Sequence, residues 1–158
     1  MKTLLITTFS FIILFHFIAN AQAGRDTTNQ PQDLPKGEKG SSNYFTGNVW
    51  VKALANDTAS ACSVAKVTFE PNARSNWHFH PDKQVLIITS GIGYLKEKDK
   101  PIQILRNGDV VTIQPGVVHW HGATPESEFV QIVVNRTTDK SVVTWLQKVT
   151  DEEYRSGK

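Results

Sequence analysis

One cysteine, Cys62, is all that the 158-residue chain contains, so no disulfide can form within it and its stability must come from a packed core. No motif frames Cys62, which reads as a small buried apolar residue rather than a nucleophile. An excess of charge is also missing. Lys and Arg number 17 against 15 Asp and Glu, and nothing is more basic than residues 96–100, which excludes a nucleic-acid footprint. Long helical periodicity is absent as well. The one long apolar run, residues 3–18, is short for a membrane span and no stop-transfer charges follow it. With Lys2 ahead of it and Ala21-Gln22-Ala23 behind, that run reads as a secretory signal over residues 1–23. No cysteine stands directly after it to carry a lipid anchor. The expected product is a soluble chain from Gly24 onward, periplasmic or secreted, with no membrane contact after cleavage.

The mature chain has two textures. Residues 24–43 are polar and hold Pro31, Pro35, Gly37 and Gly40, which suggests a flexible leader. From residue 44 to 158 the texture is that of a single domain made of short apolar runs separated by turn residues. Expected strands are 49–54, 63–69, 76–80, 85–89, 93–96, 102–105, 110–113, 118–123 and 129–134, with Gly91, Asn107-Gly108 and Pro115-Gly116 among the turns between them. Such short, regular strands indicate an all-β sandwich or barrel. Near the end, Val142, Val143, Trp145, Leu146 and Val149 recur at helix-like intervals, and Thr150 to Glu153 fits a capping box. One or two short helices are expected there, against the outside of the barrel, with Trp145 as a packing anchor. Asn56 and Asn135 each open a glycosylation tripeptide, a pattern common by chance.

Beyond the apolar run, every histidine belongs to one of two pairs, His78-Phe79-His80 and His119-Trp120-His121. Side chains two apart on a strand share a face, so each pair offers two imidazoles to one side of a sheet. Two such pairs supply what a histidine-rich metal site needs. Gln84 lies beyond His80 with the same parity. Trp77, Phe79 and Trp120 take the opposite parity and are expected to pack away from the histidines, in the sandwich core or at a dimer interface.

At these residues the chain resembles the cupin superfamily, whose fold is a double-stranded β-helix or jelly-roll barrel. His78, His80, Gln84 and Gly91 fall on the first motif of that family, and Gly108, Gly116 and His119 on the second. Asn72 stands where the first motif opens with Gly, a substitution the left-handed region tolerates. Pro115 is one position late, and Ala123 stands where Asn is common. Gln84 replaces the usual Glu, which bears on chemistry. Three imidazoles and an amide oxygen are all neutral, so a divalent ion keeps its full charge and attracts an anionic substrate oxygen more strongly. Alternatively, Gln84 acts as a hydrogen bonder behind the ligands, with water in its place.

Within the cupins, residues 69–80, 115–122 and 145–154 resemble a bacterial subgroup that includes manganese-dependent hydroxynitrile lyases and cupins associated with carboxymuconolactone decarboxylases. The resemblance implies a divalent metal, manganese foremost and iron, zinc or nickel otherwise, held by His78, His80, Gln84 and His119. It implies a substrate pocket lined by Ala65, Val67, Ser75 and Asn135. The lyases carry a further histidine where this chain has Gln131, so the catalytic proton would fall to His121, or to Gln131 and water. The expected function is a Lewis-acid, lyase-type enzyme for a small carbonyl or hydroxy compound, with cyanohydrin cleavage as its sharpest form. An iron-dependent dioxygenase on the same site and a non-catalytic module binding a metal or small ligand are the alternatives. The partner is a small-molecule substrate, and the outward aromatics are compatible with a homodimer.

Overall fold

A computed structural model describes residues 34–57, 61–136 and 142–156. The signal segment, the first ten residues of the leader and the threonines of both glycosylation tripeptides therefore lie outside the described residues. In chain order the elements are β1 (Glu38–Lys39), β2 (Phe45–Thr46), β3 (Val49–Asp57), β4 (Cys62–Phe69), β5 (Arg74–Ser75) and β6 (His78–Phe79). Then come β7 (Gln84–Glu97), β8 (Gln103–Arg106), β9 (Val110–Ile113), β10 (His119–Ala123), β11 (Phe129–Arg136), β12 (Thr144–Trp145) and α1 (Asp151–Arg155). All pairings are antiparallel, and the main path runs β1-β3-β4-β11-β7-β10-β5-β2. The sheet curls on itself as a jelly-roll half-barrel, as expected of an all-β chain with this turn spacing.

The expected strands 85–89 and 93–96 are one strand. β7 pairs with β11 and β9 through its first half and with β10 and β8 through its second, so it passes from one sheet to the other. Gly91 is the corner rather than a turn between strands. Its φ is +75°, and a Cβ there would sit 1.7 Å from the Glu128 carbonyl oxygen. The register slip between Val130 and Gln131 beside it is the bulge that lets the strand bend.

The helix-like spacing of residues 142–149 does not make a helix. Thr144 and Trp145 pair instead with Phe79 and His78 of β6. β-Branched Val142, Val143 and Thr144 are poor helix formers, and the exposed edge of β6 offers backbone partners. The only helix among the described residues is α1, with the expected capping box: Thr150 Oγ1 accepts from the Glu153 amide, and the Thr150 amide donates to the Glu153 carboxylate. The later part of the leader also departs from expectation. Glu38 and Lys39 pair with Val51 and Trp50 of β3.

Parity sorts the apolar residues into two clusters. Val49, Val67, Phe69, Leu86, Ile88, Leu95, Phe129 and Val133 fill the space between the sheets. Trp77, Tyr94 and Trp120 face outward, where Val149 and Tyr154 of the C-terminal segment cover them. Trp77 and Trp120 thus pack away from the histidines, as expected, in a second core cluster beneath this chain's own C-terminal segment. Arg74, itself buried, clamps that cover. Its guanidinium donates to the Val149 carbonyl at 3.1 and 3.3 Å, pairs with Asp151 and lies 4.7 Å over the Tyr154 ring, whose hydroxyl donates to the Ala123 carbonyl at 2.6 Å.

Candidate metal centre

β6 and β10 run antiparallel with His119 opposite His78, which brings the two histidine pairs side by side. All four imidazoles are buried. Ring centroids lie 4.2 Å apart for His78 and His119, 5.2 Å for His78 and His80, and 5.6 Å for His80 and His119. One ring nitrogen from each of these three lies within 4.8 Å of the other two.

Hydrogen bonds decide which nitrogen that is. His78 Nδ1 meets the Asn76 carbonyl at 2.9 Å, His80 Nδ1 the Val142 carbonyl at 2.6 Å, and His119 Nδ1 the Val117 carbonyl at 2.9 Å. A carbonyl only accepts, so each Nδ1 carries the proton and each Nε2 is left with its lone pair. Burial favours the neutral ring. It pushes His119 down to about 4 and His80 below the usual imidazole value. His78 and His121 fall well below it, first through burial and then through neighbouring imidazoles. Neutral imidazole is the form that ligates metals.

Gln84 completes the set by a different route from the one expected. β6 ends at Phe79, so no strand register carries through to Gln84. Its amide nitrogen donates to Asn135 Oδ1 at 3.1 Å, which turns Oε1 toward His119 Nε2 at 3.2 Å. With the His119 proton on Nδ1, both facing atoms are acceptors and no proton lies between them. A cation resolves that arrangement. The buried His80 Nε2, without a hydrogen-bond partner among the described residues, makes the same demand. These four residues fit a divalent ion.

Beside them opens a cavity of about 200 Å³. Ala65, Val67 and Asn135 line it together with His78, His80, Gln84 and His121. Ser75 is placed behind the rings instead: its hydroxyl accepts from the His121 amide at 3.2 Å and stands 3.5 Å from His78 Nδ1. Gln131, fully buried on β11, reaches the site through His121, with its amide nitrogen 2.8 Å from His121 Nδ1. Phe45, Val51, Val133, Val142, Val143 and Trp145 make the rest of the wall apolar. Trp145 was expected only to pack. It does so against Tyr44, at 4.8 Å between ring centroids, but also against His78 at 4.9 Å and the cavity. An aromatic residue among β-branched neighbours was the available signal; the Val142 carbonyl, a backbone atom, offered none.

A jelly roll that carries three convergent histidines and a glutamine at one end is the architecture of a metal-binding cupin. The cupin domain family matches residues 65–135. An (R)-mandelonitrile lyase of Granulicella tundricola is 41% identical over 119 residues, which cover 74% of this chain and 90% of that one. A cupin-like protein of Thermotoga maritima is 49% identical, with a TM-score of 0.76 over 79% of this chain and 96% of that one. A conserved barrel domain protein of Rhodopseudomonas palustris shares the fold at 19% identity, with a TM-score of 0.58 over 75% of this chain and 77% of that one. This chain belongs to the cupin family, and it is a small cupin similar to hydroxynitrile lyases.

Proposed function

We propose that this protein is an exported, manganese-dependent lyase acting on a small carbonyl or hydroxy compound, most sharply a cyanohydrin. The observation that carries this reading is the meeting of His119 Nε2 and Gln84 Oε1, two acceptors at 3.2 Å, beside an apolar cavity. Likeness to a mandelonitrile lyase supports the choice of substrate. A divalent ion held by His78, His80, Gln84 and His119 would supply Lewis acidity to a substrate oxygen.

The chain's own groups account for the rest. Phe45, Val51, Val133 and Trp145 receive the substrate's carbon framework and keep water from the reacting bond. Gln84 is neutral, so it leaves positive charge at the site for an oxygen that gains negative charge. As the bond to the nitrile carbon breaks, its electron pair leaves on cyanide and the hydroxyl gives up its proton. That proton passes to a water, while His121, the one imidazole on the cavity wall outside the ligand set, is placed to donate a hydrogen bond to the departing nitrile nitrogen.

The test is benzaldehyde release from mandelonitrile by protein stripped of metal and reloaded with manganese, beside a His119→Ala variant. Release by the reloaded protein alone supports the proposal. Equal release by stripped protein or by the variant contradicts it, as does no release at full metal loading.

A further inference from the structure

Four imidazoles crowd this end of the barrel, yet they do not present the same atom. His78, His80 and His119 each give an Nδ1 proton to a carbonyl and keep an Nε2 lone pair. His121 has no carbonyl at Nδ1. There it meets the amide nitrogen of Gln131 at 2.8 Å, and an amide nitrogen only donates. His121 Nδ1 must therefore hold the lone pair and Nε2 the proton. That Nε2 is buried, belongs to a residue lining the cavity, and has no hydrogen-bond partner among the described residues. Leaving such a donor unmatched is unfavourable, and a bound acceptor would offset the penalty.

We propose that Gln131 is a positioning residue that holds His121 as an N–H donor. In doing so it sets that donor against an acceptor atom of the substrate. The ring of His121 lies 5.2 Å from that of His78 and 5.7 Å from that of His119, beside the three-histidine cluster but outside it. The compounds this cavity takes thus carry two acceptors on neighbouring atoms, one for the ion and one for His121 Nε2: a hydroxyl or carbonyl oxygen beside a nitrile nitrogen or a second oxygen. This specificity rests on the lyase reading, but the tautomer does not.

The experiment is nitrogen NMR of uniformly ¹⁵N-labelled protein, metal-free and then loaded with diamagnetic zinc, with a His121→Phe spectrum assigning that ring. Three histidines are expected with the proton on Nδ1 and His121 with it on Nε2. On adding zinc, Nε2 of the three shifts to a metal-bound value, while His121 keeps its Nε2 proton. In Gln131→Leu, His121 is expected to become a mixture of tautomers. Finding the His121 proton on Nδ1 in the original protein overturns the inference, whether or not mandelonitrile is cleaved. So does an unchanged His121 in folded Gln131→Leu. For the substrate half, benzaldehyde cyanohydrin trimethylsilyl ether, which keeps both acceptors but has no hydroxyl proton, is expected to move the His121 Nε2–H resonance in zinc-loaded protein. An unmoved resonance at saturation removes the contact.

Discussion

His80 Nδ1 donates to the backbone carbonyl of Val142 at 2.6 Å, a bond that spans 62 positions of the chain. The C-terminal segment therefore supports the candidate metal centre, fixing the tautomer of one of its histidines while Trp145 packs on another. Arg74 and Tyr154 hold the same segment down at its far end.

Releasing that clamp should be felt at the site. Arg74→Met leaves the Val149 carbonyl and Asp151 without their donor and is expected to cost about 2–3 kcal/mol of stability, read from the denaturant midpoint. Manganese affinity should fall roughly tenfold through the loosened His80, as for other residues that support ligands, and calorimetry would read it. Unchanged affinity in a folded variant would separate the clamp from the site.

The corner at Gly91 is a second sensitive point. Alanine there must hold a φ of +75° with its Cβ 1.7 Å from the Glu128 carbonyl oxygen. The backbone must shift, at an expected cost of about 2–4 kcal/mol. A denaturant midpoint within error of the unmodified protein would contradict the corner.

Gln84→Glu keeps size and exchanges a neutral ligand for a charged one. Metal binding should tighten roughly tenfold, since a carboxylate cancels one unit of the ion's charge, and kcat should fall for the same reason. A variant with tighter binding and undiminished kcat would show that the neutrality of Gln84 does not matter to turnover.

Acid should weaken the metal-free protein. His119 ionises at 6.5 when unfolded and at about 4 when buried, so below 6.5 the unfolded chain binds more protons than the folded one. Stability is fully present above 6.5 and declines as pH falls toward 4, by about 3 kcal/mol from this residue alone. His78, His80 and His121 shift in the same direction and add to the slope. Denaturation curves of metal-free protein between those pH values check it, and a flat profile would mean that these rings ionise as readily inside as out.

Most of the barrel was legible because strand alternation and turn residues are local signals. Gly91 misled, since a glycine at positive φ looks the same in sequence whether it closes a turn or bends one strand between two sheets. Residues 142–149 misled because their apolar spacing suits a helix, while β6 supplied a strand partner that no local pattern reveals. At the site, parity found the pairs His78/His80 and His119/His121. What it could not find were the contacts made at a distance: the Val142 carbonyl on His80, the Asn135 amide that turns Gln84, and the Gln131 amide on His121. Each joins residues brought together only by the closed barrel.

Everything proposed for catalysis depends on three Nε2 lone pairs and the Gln84 oxygen holding an ion that drives bond cleavage. The decisive experiment follows benzaldehyde release from mandelonitrile as manganese is titrated into metal-free protein. The rate is expected to rise in proportion to bound metal and to level off at one ion per chain, and His119→Ala is expected neither to bind nor to cleave. A rate independent of bound manganese, or a fully loaded protein that releases no benzaldehyde, would refute that dependence.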